Sequence, residues 1–254
     1  MIIDWDKFLE PYDIAVNELT EMFLRIKKHD DLSPILYIEG RVKKVYSLLY
    51  KLDRKSFSLE EVEDKIDDIA GIRLVCNFIS SADQVIKIIR SKNDIAFKIN
   101  EERDYIHDPK SSGYRSYHVL ISYPVKTPTG TKHVRAEIQI RSIVMDFWAK
   151  LEHAMLYKQG TIEMDREVKR RFLHAAKTAL DLDEELGSIY AQALPDMKRE
   201  SKGNVIEEIQ KNICRLSKKN KPLAELYNKD FLSIYLYSTS EELRQFNNNL
   251  EKEI

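Results

Sequence analysis

The sequence predicts an α+β fold, a small mixed β-sheet flanked by helices, with helical extensions at both ends. Three observations predict it. Apolar residues recur at helical spacing before about residue 55 and again after about residue 142. Between those stretches lie short runs that alternate or are solidly apolar, as strands do. Glycine (7) and proline (7) are scarce among the 254 residues, which disfavours a loop-rich all-β sandwich.

Over 6–28, Phe8, Leu9, Ile14, Ala15, Leu19, Met22, Phe23 and Ile26 follow a helical period. Ser33-Pro34 offers an N-cap and a proline at the first helical position, so a second helix is expected to about residue 55. Its stripe is Ile38, Val42, Val45, Leu48, Leu49 and Leu52. Ser58-Leu-Glu-Glu61 has capping-box spacing and starts a short acidic helix toward Asp68. Ile72-Arg-Leu-Val-Cys-Asn-Phe78, preceded by Gly71, reads as a buried strand, 82–90 as a helix and 97–105 as a strand. Tyr117-His-Val-Leu-Ile-Ser-Tyr-Pro-Val125 and His133-Val-Arg-Ala-Glu-Ile-Gln-Ile140 form a hairpin around a turn containing Thr127-Pro-Thr-Gly130. Helices follow at about 142–157, 165–194 and 204–219. Phe231-Leu-Ser-Ile-Tyr-Leu-Tyr237 suits either a strand or a helix, and Thr239-Ser-Glu-Glu242 caps a last helix, 241 to about 252. No internal repeat is visible. The domain plan is one domain over 1–200 and a mostly helical extension over 201–254.

Charge narrows the partners. With 41 Lys+Arg against 42 Asp+Glu the net charge is −1, so no extended surface for coating DNA or RNA is expected. Hydrophobic residues reach 43%, too many for a disordered tail. Charged residues reach 33%, above the usual quarter or so, as long helices with solvated faces require. Two cysteines make no disulfide framework: Cys76 reads as a core thiol and Cys214 lies in a helical pattern. The N-terminus lacks the basic and apolar regions of a leader, and nowhere do 18 apolar residues run together. A cytoplasmic protein that does not enter the membrane is expected.

Three clusters could carry chemistry. Along 133–141, Val134, Ala136, Ile138 and Ile140 face one way, and Arg135, Glu137, Gln139 and Arg141 face the other. Such a charged row is usually solvated. Asp67-Asp68, just before a buried strand, gives it a second reading, because carboxylates on adjacent sheet elements can bridge a hard cation such as Mg²⁺. Pro109-Lys-Ser-Ser-Gly-Tyr-Arg-Ser-Tyr-His118 is either an ordinary hairpin entry or a loop that stacks a base on tyrosine and holds phosphates with Lys and Arg. Between Arg41 and Lys55 six cations meet one acid, and Arg41, Lys44, Lys51 and Lys55 fall near one helix face. Glu60 to Asp68 then holds six acids and one lysine. The two segments suit a salt-bridged helix pair or a polyphosphate site beside a metal-binding carboxylate. Neither G-x-x-x-x-G-K-[ST] nor G-x-G-x-x-G occurs, so no P-loop holds a nucleotide here.

Asp68-Ile-Ala-Gly-Ile-Arg73, Gly113-Tyr-Arg-Ser-Tyr-His118, Glu137-Ile-Gln-Ile-Arg141 and Phe147-Trp-Ala-Lys-Leu-Glu-His153, in that order and spacing, resemble the RelA/SpoT-type synthetase domain. Gly40-Arg-Val-Lys43 fits as well, and the likeness spans 38–157 within the domain 1–200. Among these proteins the chain is most similar to the small, single-domain alarmone synthetases. The motifs begin near residue 40, so the His-Asp hydrolase domain of longer relatives is not expected. The resemblance implies a nucleotidyltransferase-like fold and transfer of the β,γ-pyrophosphate of ATP to the 3′-hydroxyl of GDP or GTP. AMP leaves, and (p)ppGpp forms. It implies Mg²⁺ on Asp68 and Glu137, with Glu137 also taking the hydroxyl proton. Arg41 and Arg73 would sandwich the adenine, and Lys43, Lys51, Arg54 and Lys55 would face the ATP phosphates. Tyr114 would stack on guanine, while Lys110, Arg115, His118 and Gln139 line the guanosine side. Asp146 stands where some members have Asn. A homo-oligomer, commonly a tetramer, is implied, with the segment after about residue 200 as an oligomerisation or regulatory element. Relatives that pyrophosphorylate tRNA 3′ ends or make adenosine alarmones, and a catalytically silent regulator, are the alternatives. Intact Asp68, Tyr114 and Glu137 speak against the last.

Overall fold

The computed structural model describes residues 4–28, 33–158, 166–200 and 202–254. In chain order these form α1 (Trp5–Lys28), β1 (Ile35–Val42), α2 (Val45–Lys55), α3 (Val62–Lys65), β2 (Ala70–Cys76), a short 3₁₀ turn (Ile79–Ser81), α4 (Ala82–Arg90), β3 (Lys98–Asp104), β4 (Tyr117–Thr127) and β5 (Gly130–Ser142). Then come α5 (Ile143–Lys158), α6 (Arg166–Glu200), α7 (Lys202–Lys219), α8 (Lys221–Ile234) and α9 (Ser240–Glu251). The strands lie in the order β1-β2-β5-β4-β3, with β2 and β5 parallel and the other neighbours antiparallel, so the sheet is mixed.

Period-two alternation gives the sheet one apolar face. Ala70, Ile72, Leu74 and Cys76 of β2 stand beside Ala136, Ile138, Ile140 and Ser142 of β5, and all but Ser142 enter one core with Val119 and Ile121 of β4. Helix α1 closes that core with Tyr12, Ala15, Val16, Leu19 and Phe23, and α4 adds Val85, Ile86 and Ile89. A fully buried aliphatic side chain contributes roughly 1.5–3 kcal/mol, so this face is a large source of stability for the sheet. The Cys76 thiol, buried in the core and near the Asp183 carboxylate, is pushed up to about 12.

The sequence reading of 33–55 as one helix is corrected. The first half is the edge strand β1, and only Val45–Lys55 is helical. The apolar residues at 38, 42 and 45 fit a helical stripe, but Gly40 interrupts it, and the β1 backbone pairs along its length with β2. Helix α1 crosses so close to β1 that a Cβ on Gly40 would lie 2.5 Å from Thr20 Oγ1 and 2.7 Å from Val16 Cγ1. The shared helix face assigned to the cations dissolves with it. Arg41 is on β1, Lys43 and Lys44 are in the connection, and Lys51, Arg54 and Lys55 are on α2. The helix expected from Ser58 to Asp68 is only the single turn α3, and Asp67-Asp68 lies in the turn entering β2. Phe231-Leu-Ser-Ile234 completes α8 rather than forming a strand.

The chain divides into two compact units, Met1–Gly187 and Ser188–Ile254. In the second, Val205, Ile209, Leu216, Ala224, Phe231, Leu243 and Leu250 form a separate core among α7, α8 and α9. Buried Asn212 donates to Asn247 Oδ1 at 3.1 Å and to Glu251 Oε1 at 3.2 Å, which satisfies its amide between α7 and α9. The capping box expected at Thr239 and Glu242 is present.

Gly40→Val should lower stability by about 1–3 kcal/mol, because Val16 and Thr20 are stiff at χ1 and cannot swing clear. The midpoint of urea unfolding measures this, and an unchanged midpoint would contradict the close approach of α1 to β1.

Candidate active site

On the face opposite the core, strand register lines the polar residues up in rows. Glu39 of β1 stands beside Arg73 of β2, Arg73 beside Gln139 of β5, and Gln139 beside His118 of β4. One step along, Arg41, Gly71 and Glu137 form the next row. Glu39, Arg41, Asp68, Arg73, Glu137 and Gln139 line a cleft of about 270 Å³, with Gly40, Gly71 and Ile72 between them.

Asp68 Oδ2 accepts from Lys43 Nζ at 2.7 Å, and its Oδ1 from Lys51 Nζ at 2.8 Å. The backbone brings Lys43 there, since its N–H donates to the Ile69 carbonyl at 2.8 Å. Burial pushes the Asp68 carboxyl up, but the two ammonium groups outweigh it and hold the carboxyl down at about 2. Glu137 is buried, its Oε1 accepting from His118 Nδ1 at 2.9 Å and its Oε2 from Gln139 Nε2 at 2.6 Å. Burial raises this carboxyl, as does the charge of Asp68, yet the bonds from His118 and Gln139 leave it below its ordinary value. Both carboxylates therefore face the cleft ionised. Of the other acids of 60–68, Glu63 pairs with Lys132 at 2.6 Å, and Asp67 with Arg135 at 3.3 Å and Arg103 at 3.4 Å. In the cleft itself, the salt-bridge reading of the two charged segments and the polyphosphate-site reading share the same residues.

Asp146, 1% exposed in the first turn of α5, holds the far side. Its Oδ1 lies 3.1 Å from Arg141 Nη1 and 3.2 Å from Arg73 Nε. Its Oδ2 accepts from the Tyr37 hydroxyl at 2.7 Å and from Lys150 Nζ at 2.8 Å. Burial raises the carboxyl, but the bonds from Lys150 and Tyr37 and the charges of Arg73 and Arg141 bring it below its ordinary value. Glu39 closes this network, accepting from Arg73 Nη1 at 2.7 Å and Lys150 Nζ at 3.0 Å. The sequence reading gave Asp146, Glu39, Tyr37 and Lys150 no role in the site. Tyr37 and Glu39 were hidden by the helix expected there, whereas the four-residue step from Asp146 to Lys150 was a visible signal.

The loop before β4 holds the aromatic side. Gly113 adopts φ +85°, and a Cβ on it would lie 2.6 Å from Ala176 Cβ, so the loop is pressed against α6. Tyr114 is 9% exposed, edge-on to Tyr105 and His118, and Lys110 Nζ and the Arg141 guanidinium lie over its ring at 4.9 and 5.0 Å. Of the residues named from sequence, Arg41, Asp68, Arg73, Glu137 and Gln139 line the cleft. Lys43 and Lys51 reach it through Asp68, and His118 through Glu137. Tyr114 adjoins His118, and Lys110 covers the tyrosine. Arg115 donates to the Ile106 carbonyl, and Arg54 and Lys55 stand exposed in the last turn of α2, outside the cleft lining.

A mixed sheet whose polar face joins two ionised carboxylates to a ring of cations defines a nucleotide- or phosphate-handling site. The region found in RelA / SpoT proteins matches residues 40–162, which take in β2 to β5 and the last three residues of β1. GTP pyrophosphokinase YjbM of Bacillus subtilis is 41% identical over 207 residues, covering 79% of this chain and 96% of that protein. GTP pyrophosphokinase YwaC of the same organism is 37% identical over 189 residues, covering 72% and 89%. The small alarmone synthetase 1 from Bacillus subtilis, solved bound to its product pppGpp, superposes with a TM-score of 0.70 at 42% identity, covering 75% of this chain and 98% of that one. The chain belongs to the RelA/SpoT family, among its small alarmone synthetases.

Asp146→Ala strands Arg73, Arg141 and Lys150 without their shared anion and should lower stability by about 3–5 kcal/mol in urea unfolding. The folded carboxyl lies below its unfolded value of about 3.9, so its contribution is full above that pH and fades as pH falls through the folded value. Asp146→Asn should accordingly flatten the loss of stability below about pH 4. A wild-type midpoint in Asp146→Ala would contradict the network.

Proposed function

We propose that this chain transfers the β,γ-pyrophosphate of ATP to the 3′-hydroxyl of GDP or GTP, releasing AMP and forming ppGpp or pppGpp. The observation that carries the reading is the cleft itself, where Asp68 and Glu137 face each other's charge among Arg41, Arg73, Lys43 and Lys51. Transfer of a phosphoryl-type group depends on in-line positioning and on neutralising the nonbridging oxygens. Arg41 of β1 and Arg73 of β2, on neighbouring rows of the same cleft, hold the adenine end of ATP. Lys43 and Lys51 turn from Asp68 to the phosphates, and Arg54 and Lys55 extend that positive field. Glu137, already ionised, accepts the 3′-hydroxyl proton. Gln139 and His118 keep its carboxylate fixed.

A divalent cation fits Asp68 and Glu137. Among the described residues no group of three or more His, Cys, Asp or Glu could hold a metal unaided. Mg²⁺ commonly binds through one or two carboxylates, with waters and substrate phosphates completing its shell. Once bound, Mg²⁺ would neutralise phosphate charge and acidify the attacking hydroxyl. On the acceptor side Tyr114 stacks on guanine, Lys110 is the group the base displaces, and Arg115 supports the loop.

A tRNA acceptor has one observation in its favour. Helix α6, pressed on the Gly113 loop, exposes Arg166, Lys169, Arg170, Arg171 and Lys177. No helix among the described residues is long and apolar enough to cross a membrane, and we place the protein in the cytoplasm, without DNA as a partner. A homo-oligomer, a tetramer by resemblance, belongs to the same reading. In support, α5 exposes Ile143, Phe147 and Leu151 at four-residue steps, and the segment from about residue 200 serves assembly or regulation. Light scattering should return a multiple of the chain mass, and a monomer would remove that part.

The direct test incubates the protein with Mg²⁺, ATP labelled in its β,γ-phosphates, and GDP, GTP, ATP or tRNA separately. Label should pass to GDP and GTP, label on tRNA alone would favour the second reading, and no transfer would sink both. Glu137→Gln and Asp68→Asn should each lower turnover by at least roughly 100-fold with the fold intact by circular dichroism. Tyr114→Ala should raise the acceptor KM by roughly 5- to 150-fold, the size of one base stack, leaving the ATP KM near wild type. An unchanged acceptor KM would refute stacking.

A further inference from the structure

Glu137 belongs to a closed ring of hydrogen bonds. Arg141 Nη2 donates to the Tyr114 hydroxyl oxygen at 2.6 Å and to Gln139 Oε1 at 2.8 Å. Tyr114 Oη lies 2.9 Å from His118 Nε2, and His118 Nδ1 lies 2.9 Å from Glu137 Oε1. Gln139 Nε2 donates to Glu137 Oε2 at 2.6 Å. Both arms start at one nitrogen of Arg141 and end on the two oxygens of one carboxylate.

One assignment of protons gives every bond of the ring a donor and an acceptor. A guanidinium only donates, so the Tyr114 oxygen accepts from Arg141. The one phenolic proton is then free to go to His118 Nε2 when the imidazole carries its proton on Nδ1. An ionised Glu137 needs a donor, so the His118 proton sits on Nδ1. The same logic turns the Gln139 amide, with its oxygen to Arg141 and its nitrogen to Glu137. Every member of the ring is buried or half-buried, so little water competes for these bonds. Arg141 is itself held by Asp146 at 3.1 Å.

We propose that the Tyr114 hydroxyl is a positioning group for the base, acting through His118 to fix one oxygen of the Glu137 carboxylate. This rests on the reading of Glu137 as the base that takes the acceptor's proton. Tyr114 then has two separable duties. Its ring face binds the acceptor, while its hydroxyl sets the tautomer of His118 and so the aim of Glu137. Groups that hold a functional side chain in place through hydrogen bonds typically matter roughly 10- to 100-fold in activity.

The test separates ring from hydroxyl. Tyr114→Phe keeps the ring and should leave the acceptor KM within about twofold of wild type while kcat falls by roughly 10- to 100-fold. Added to His118→Ala, the same change should cost nothing further, because the link it breaks is already gone. An unchanged kcat in Tyr114→Phe, or an equal loss in the His118→Ala background, would overturn the proposal. A second measurement needs no folded variant of Tyr114. Nitrogen-15 spectra of histidine-labelled wild-type protein, with His118 assigned by its absence in His118→Ala, should show the Nδ1–H tautomer. The Nε2–H tautomer would overturn the chain of donors. Loss of turnover in Glu137→Gln alongside a silent Tyr114→Phe would sink only this proposal, whereas an active Glu137→Gln would sink the reading of the base beneath it.

Discussion

The parallel pairing of β2 with β5 sets Gly71 beside Glu137 and Arg73 beside Gln139, and the other site residues take their places from those two contacts. Parallel pairing holds successive residues of both strands in step, so two cleft rows follow from one register. A slip of one residue would turn Glu137, Gln139 and Arg141 into the core and Ile138 and Ile140 into water. The apolar face forbids that slip, because Ala70, Ile72 and Leu74 must meet Ala136, Ile138 and Ile140. The core thereby fixes the geometry of the cleft on the sheet's other side.

Charge on that second face is balanced locally. Asp68 meets two lysines, Asp146 meets two arginines and a lysine, and Glu39 meets Arg73 and Lys150. Burying ionised groups is costly unless each is paired and hydrogen-bonded, which such networks achieve. Their value to the protein is positional. Carboxylates gather these cations at the cleft and fix them there before any anion enters. The near-zero net charge conceals this, because the basic run at 41–55 and the acidic run at 60–68 cancel in the total.

Much of this was legible in the sequence. The period of two along 133–141 placed Glu137 and Gln139 on the polar face, the apolar run after Gly71 was β2, and Thr239 with Glu242 marked α9. What escaped had physical causes. Residues 35–42 carry apolar groups that satisfy a helical stripe as well as a strand, and pairing with β2 decides between them, which no local pattern displays. Once 35–42 was read as helix, Tyr37 and Glu39 had no reason to face Asp146 and Arg73. The acidic run 60–68 promised a helix, yet Glu63, Asp67 and Asp68 are spent on Lys132, Arg135, Arg103, Lys43 and Lys51 from four other parts of the chain. Contacts so distant in sequence override local propensity. For Asp146 only the step to Lys150 could be seen, since an acid in the first turn of a helix is ordinary until its buried partners Arg73, Arg141 and Tyr37 are known.

The central claim is that the cleft over β2 and β5 is where the two substrates meet. The most direct measurement is a crystal structure of the protein with a nonhydrolysable ATP analogue, GDP and Mg²⁺ bound together. The account predicts the metal on Asp68 and Glu137, the adenine between Arg41 and Arg73, and the acceptor 3′-oxygen within hydrogen-bonding distance of Glu137. Nucleotides seated away from these strands, or an acceptor hydroxyl turned away from Glu137, would contradict it.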